Sequence, residues 1–442
     1  MTSPSSSPRP RRQIRGLLLD VAPLRLDRDY RLLWTGQVVS SMGNQITRIA
    51  LPFQVYVLTQ STVAVGFLAA VQLVPILALS LGAGAVADAV DRRRLILVTS
   101  VGMAFCSLAL AVLALGSPPS LPAIFGVAFL AASLASIDQP ARSSAIPRLV
   151  PAERLPAAIA LNQLNLQTAS IVGPAVGGVI IAIAGLPAAY ALDFVSFGAA
   201  LAAIAAIGPL PPLGGAARPG LSAVLEGLRF ARSRPLILST FAIDFAAMVF
   251  GMPTSLFPAL GLTVFGAGAI GVGLLAAAPA VGAFVGAALS GWVSGVRRRG
   301  RAVILAVAGW GAAIVGFGLA TFSFPLALTL LALAGAADVL SAVFRSTIVQ
   351  LETPDGLRGR VTAIHILVVT SGPRLGDIEA AAVAGLIGPQ ASVISGGLLC
   401  LLGVIGVARA FPQLDAHVAP PPLHGHAAGA AGGSGGPATG PE

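Results

Sequence analysis

The chain has 442 residues, of which 56% are hydrophobic and 10% charged, with a formal net charge of +10. Soluble domains carry roughly 25% charged residues, and no soluble core absorbs this much apolar surface, so composition excludes the soluble class and predicts a multi-pass membrane protein. The two cysteines, Cys106 and Cys400, fall in apolar stretches, which argues against a disulfide framework.

Residues 1–31 read as a disordered basic tail rich in Pro, Ser and Arg, without the apolar core of a cleavable signal peptide. Twelve apolar stretches follow, each near or above the ~20 residues a helix needs to cross hydrocarbon. They run 32–58, 62–86, 95–115, 121–141, 156–184 and 187–209 in a first half, then 236–262, 267–294, 302–321, 325–349, 361–386 and 390–411 in a second. The runs are continuous rather than alternating, so the predicted class is an all-α membrane protein and not a barrel. Two six-helix bundles are expected, 32–209 and 236–411. Between them, 210–235 reads as a linker in which Leu221, Val224, Leu225, Leu228 and Ala231 recur at helical spacing, predicting a short amphipathic helix. Residues 412–442 form a Gly/Ala/Pro-rich tail expected to be disordered; His417, His424 and His426 lie there without Cys or carboxylate companions, so no metal site is assigned.

All 27 basic residues are arginine. Arg92–Arg94, Arg142, Arg148, Arg154, Arg218 to Arg234, Arg297–Arg301, Arg358 and Arg360 fall on alternate connections, while the connections near Gln60, Pro118, Gly185, Gly266, Ser323 and Pro389 carry none. The positive-inside rule then places both termini in the cytoplasm of a cell-membrane protein. Charge spread over separate juxtamembrane loops fits contact with the lipid bilayer rather than with nucleic acid.

The two halves echo each other. Gly173-Pro174-Ala175-Val176-Gly177-Gly178 is matched by Gly372-Pro373-Arg374-Leu375-Gly376-Asp377, and Ala141-Arg142-Ser143-Ser144 by Phe344-Arg345-Ser346-Thr347. Apolar proteins built from internal repeats carry substrate between the repeats, so a transporter is the economical expectation. Between the second and third stretches stands Gly84-Ala85-Val86-Ala87-Asp88-Ala89-Val90-Asp91-Arg92-Arg93-Arg94, an acid at a helix end followed by a cationic cluster.

On these motifs the chain resembles the major facilitator superfamily. Gly84, Asp88, Arg92 and Arg93 match its loop signature between helices two and three, whereas Ala89 and Asp91 depart from it. Gly173, Pro174, Gly177 and Gly178 resemble the motif associated with its antiporters. Residues 31–58, 141–161 and 226–258 are similar to the branch holding the enterobactin exporter and drug and macrolide efflux proteins. The resemblance implies twelve helices in two pseudo-symmetric bundles working by alternating access. It also implies a cytoplasmic gate at Gly84, Asp88, Arg92 and Arg93, to which the repeated Arg142 and Arg345 are added.

Among the ionisable residues inside the spans, seven stand out: Arg48, Asp193, Asp244, Asp338, Arg374, Asp377 and Glu379. Each costs about 2.5–3.5 kcal/mol near the bilayer centre, so they are expected to face a watery cavity or one another. Arg374 and Asp377 can pair on one helix face, and Arg48 can meet a carboxylate across the cavity or hold an anionic substrate. Arg48, Asp244, Asp338, Arg374 and Asp377 are therefore assigned to substrate binding or proton coupling, and Asp193 to structure. Residues 121–136 contain no ionisable group, so coupling is expected elsewhere than deep in helix four.

The absence of lysine excludes a Walker A loop, a Schiff base and a lysine-bound cofactor; no cofactor or catalytic group is assigned, and the chain is not read as an enzyme. The expectation is a monomeric secondary exporter of a small, partly apolar compound in exchange for protons. An importer or lipid transporter on the same fold is the alternative, and a non-transporting scaffold a remote one.

Overall fold

The apolar runs become long helices. The computed structural model describes residues 20–116, 120–211 and 221–418; within these, residues 80–89, 221–225, 355 and 363 are described by backbone alone. The described residues contain no β-strand. In the first half a short α1 (Ala22–Leu26) leads into α2 (Arg28–Thr59), α3 (Thr62–Ala89), α4 (Arg92–Leu115), α5 (Leu121–Leu149) and α6 (Leu155–Ala205). The connecting segment holds α7 (Leu221–Ser233). The second half begins with α8 (Pro235–Phe250) and a broken continuation through α9 (Phe257–Ala259) to Val264. Then come α10 (Gly268–Ala288), α11 (Arg299–Leu319), α12 (Phe324–Glu352), α13 (Arg358–Ile387), α14 (Pro389–Ala410) and α15 (Pro412–Ala416).

Among the described residues, nine helical segments are long and apolar enough to cross a membrane. The segment from Ala152 to Ala205 holds two of the expected crossings, because Gly185 has φ 79° and interrupts the helix there. Gly388, with φ 89°, makes the equivalent turn between α13 and α14. Both turns need the left-handed region that glycine alone enters without strain. Helices α2 and α13 span 32 and 30 residues, but their polar residues keep them outside the nine. Large apolar side chains such as Leu386, Phe322 and Ile183 are at least 80% exposed, a surface that only lipid covers comfortably.

Two tail boundaries differ from expectation. Residues 22–31 are largely helical in α1 and the start of α2, where Asp27 binds Arg154 at 3.1 Å and Tyr30 donates to the Ala158 carbonyl at 2.8 Å. Residues 412–416 form α15, whose Leu414 is fully buried. In both places a few apolar or pairing residues dock onto the helical body, which a composition-based reading does not resolve. The remainder of each tail, 1–19 and 419–442, lies outside the described residues.

Within the first half α6 packs on α2 and α4, and α3 on α5; within the second, α12 packs on α10 and α11, and α14 on α11. The halves meet along α3 with α13 and along α6 with α10. Glycine permits both seams. A Cβ on Gly66 would sit 2.5 Å from that of Ala381, and one on Gly178 only 2.6 Å from the Ala269 carbonyl oxygen. Thr62 adds a hydrogen bond to the Ala381 carbonyl at 3.2 Å. These contacts lie towards the helix ends remote from the arginine-bearing connections. At the arginine-bearing end the halves part around a cavity of about 920 Å³.

Candidate functional site: a cavity between the halves

The cavity wall is mainly apolar, with Ile49, Leu68, Leu110, Phe257 and Ile314 among its residues. Among the described residues, five acids and arginines line it: Arg48, Asp193, Asp338, Arg374 and Asp377. The structure sorts them into three arrangements.

The first surrounds Arg345. Its guanidinium lies 2.8 Å from the Asp244 carboxylate and 4.0 Å from that of Asp338. Arg345 and Asp244 are sealed, at 2% and 0% side-chain exposure, while Asp338 is 28% exposed on the cavity wall. Two carboxylates thus share one cation, and one of them reaches the cavity. Asp338 and Arg345 are seven residues apart on α12, two helical turns, and so share a face. Asp244 comes from α8. From sequence Arg345 is expected at a gate and the two acids in coupling; the fold makes them one cluster.

A partial counterpart occupies the first half. Arg142 bonds Asp138 at 2.5 Å and the Ser100 hydroxyl at 2.8 Å, and Thr99 donates to Asp138 at 2.7 Å. Asp138 is a site residue that the sequence reading does not single out, because it lies just past the uncharged stretch 121–136. The available signal was a carboxylate one turn before Arg142, as Asp338 stands two turns before Arg345. Arg142 also proves to be a buried residue of α5 rather than part of a loop.

The second arrangement is a break in the helix begun by α8. A proline disfavours helical dihedrals at the residue before it, here Met252, and the helix ends at Phe250 and restarts as a short 3₁₀ turn at Thr254. The Gly251 carbonyl accepts from the Trp310 indole at 2.9 Å. Asp377 satisfies the restart: its Oδ1 accepts from the Thr254 hydroxyl at 2.6 Å and the Ser255 amide at 2.7 Å. A carboxylate there acts as an N-cap. Its other oxygen lies 3.9 Å from Arg374, so the expected pair is present but loose. Asp377 occupies the repeat position of Gly178. Gly178 faces α10 across the seam, and the Asp377 backbone faces Gly66 of α3.

The third arrangement centres on Asp193, which accepts from Thr47 and Ser107 at 2.7 Å each and so ties α6 to α2 and α4. Arg48, one residue beyond Thr47, is exposed to the cavity and forms no ion pair among the described residues. It does not neutralise Asp338 or Asp377 by contact, although its charge acts on both Arg374 and Asp377.

Of the gate residues, the side chains of Gly84 and Asp88 lie outside the described residues. Arg92 bonds Ser144 at 3.0 Å. Arg93 closes the end of α6 through the Ile204 and Ala205 carbonyls at 3.2 and 2.6 Å. Arg93 and Arg142 bond within the first half and Arg345 within the second, so in this conformation they do not bridge the halves. The antiporter-type motif is a packing device on both sides of α6: Gly173 and Gly177 receive Gln45 and Ile46 of α2, while Gly178 and the Pro174 carbonyl meet Gly273 of α10.

A helical body with a cavity between its halves, mainly apolar but carrying a few charged side chains and closed at one end, is the architecture of a membrane carrier. Residues 19–428 match the family described as transmembrane secretion effectors, and the chain belongs to that family of the major facilitator superfamily. It is similar to the enterobactin exporter EntS of Citrobacter koseri, with 28% identity over 415 residues covering 92% of this chain and 97% of the relative. The same-named protein of Shigella boydii serotype 18 is 27% identical, covering 88% and 93%. Among solved structures, a bacterial homologue of the iron transporter ferroportin in an inward-facing state superposes with TM-score 0.68 at 15% identity, over 89% of this chain and all of that one. An inward-facing, unoccupied bacterial homologue of the lysosomal transporter Spinster gives 0.67 at 14% identity, over 88% and 98%. The chain is a multi-pass membrane transporter.

Proposed function

We propose that this protein exports a small, partly apolar compound across the cell membrane by alternating access, in exchange for protons. The cavity between the halves, open at the arginine-bearing end and sealed by the glycine seams at the other, is the observation that carries this reading. With the arginine loops cytoplasmic, as the positive-inside rule directs, this conformation loads from the cytoplasm. The same orientation puts both termini inside, with twelve crossings in two six-helix domains, residues 32–209 and 236–411. The outward direction of transport is supported by relatives named as enterobactin exporters. A monomer suffices, since the cavity is built from one chain.

Proton coupling is assigned to the Asp244–Asp338–Arg345 cluster. One guanidinium balances one carboxylate, so the second is the group that a proton neutralises at least cost, and Asp338 is the one open to the cavity. Protonation of Asp338 would loosen its hold on Arg345 and alter how α12 sits against α8. Arg92, Arg93 and Asp88 close the cytoplasmic end in the opposite state.

Everted membrane vesicles with a fluorescent pH probe test the proposal against siderophores, macrolides and lipophilic cations. Alkalinisation of an acidified lumen by one of these compounds, absent in Asp338→Asn, is expected. Acidification on substrate addition would identify an importer, and substrate efflux with no proton movement would remove the coupling.

A further inference from the structure

Two cations line the cavity, one from each half. Arg48 enters from α2 of the first half, is exposed to the cavity, and has no ion-pair partner among the described residues. Arg374 enters from α13 of the second half, 27% exposed, with its carboxylate partner 3.9 Å away. That partner is divided: Asp377 is 5% exposed, its Oδ1 is committed to Thr254 and the Ser255 amide, and only Oδ2 faces Arg374, beyond hydrogen-bond distance. Asp193, 2% exposed, is saturated by Thr47 and Ser107. Asp338 faces the cavity beside Arg345, at 4.0 Å, and forms no ion pair with Arg48 or Arg374 among the described residues. At the level of Arg48 and Arg374 the accessible charge is therefore positive, although the acids lining the cavity outnumber the arginines.

We infer that Arg48 and Arg374 form a two-arginine site for the head group of an amphipathic organic anion, a carboxylate or sulfonate on an apolar body. Guanidinium forks match planar oxyanions in bidentate geometry. The low-dielectric wall concentrates their field, and Ile49, Leu68, Phe257 and Ile314 supply apolar surface for the rest of the ligand. A cavity of this size accepts a drug-sized molecule. Because the two arginines come from different halves, they repel one another across the cavity when it is empty, and an anion between them removes that repulsion. Substrate would thereby favour approach of the halves at this level, the movement alternating access requires. The inference rests on the reading of the cavity as the transport site, and names its substrate class.

The test uses the purified full-length protein in detergent and three isosteric probes: 2-naphthoate, 2-naphthamide and 2-naphthylmethylammonium. Isothermal titration should show the carboxylate binding at least about tenfold more tightly than the amide, with the ammonium weakest. Arg48→Gln should abolish that preference, since Arg48 supports no ion pair among the described residues whose loss would disturb folding, and Arg48→Lys should restore part of it. Arg374→Gln should do the same, its folding checked by thermal melting. Equal binding of amide and carboxylate, no binding of any probe, or a preference that survives Arg48→Gln would overturn the inference. Vesicle transport separates this from the function proposed above: neutral compounds exported without anion preference remove the site and leave export standing, while anion binding without vesicle transport does the reverse.

Discussion

At the scale of single residues, the same side-chain type performs different work at different depths. Asp244 and Asp338 both face Arg345, but one is sealed at 2.8 Å and the other is open at 4.0 Å. Asp244→Ala leaves a buried guanidinium without its close partner, a loss of about 3–5 kcal/mol. The variant should therefore melt well below the parent in detergent. Asp338→Asn keeps the close pair, so it should melt within a few degrees of the parent while losing substrate-driven proton movement; equal melting losses in both would show that the two acids are equivalent. Asp377 needs a different reading from the one its charge invites. Its Oδ1 caps the restarted helix at Ser255, a role an asparagine oxygen can fill. Asp377→Asn should retain folding, whereas Asp377→Ala should cost about 1 kcal/mol, the usual value of a lost N-cap, read as a lower melting temperature.

At the scale of elements, the glycines of the repeated motif decide how closely helices approach. Gly173 and Gly177 let α6 lie on α2 inside one half; Gly178 lets α6 meet α10 of the other. A methyl group at Gly178 would fall 2.6 Å from the Ala269 carbonyl and 3.1 Å from the Gly273 Cα, both backbone atoms that cannot rotate away. Gly178→Ala should therefore disfavour the conformation closed at this end. The expected result is a protein that inserts normally but transports several-fold more slowly; a transport rate equal to the parent's would show that the seam is loose in the working protein. The break after Gly251 is a second element-level device. It frees the Ser255 amide that Asp377 takes up, linking α13 to the helix begun by α8.

For the whole molecule, access to the cavity is the property that must alternate. The two cysteines are buried, so in a Cys106→Ser, Cys400→Ser background new cysteines report position cleanly. Gln139 is exposed on the cavity wall towards the arginine-bearing end, and Thr62 is 9% exposed in the seam at the other. A membrane-impermeant maleimide should label Gln139→Cys from the arginine-bearing side and leave Thr62→Cys unmodified. A transported substrate with an opposing proton gradient should protect the first and expose the second. Labelling of both that does not respond to substrate would argue for a fixed channel in place of two alternating states.

The sequence by itself determined the features whose cause is local. Continuous apolar runs force helices in lipid because every backbone group must be satisfied within its own segment. The Gly173–Gly178 repeat announces close packing because only glycine removes a Cβ, and a helix, α7, stands in the linker where helical spacing is read. It also marked Arg48, Asp244, Asp338, Arg374 and Asp377, since an ionised group in an apolar run needs a reason to be there. What it left open is which charges meet. Asp244 and Arg345 are far apart in the chain, as are Asp377 and Ser255, and a contact made by folding leaves no trace in local spacing. Whether Asp377 is a proton carrier's acid or a helix cap, and whether Arg48 is paired or free, therefore depended on the packing of α2, α8, α12 and α13. Tertiary structure alone determined that Arg48 stands on the cavity wall without an ion-pair partner among the described residues.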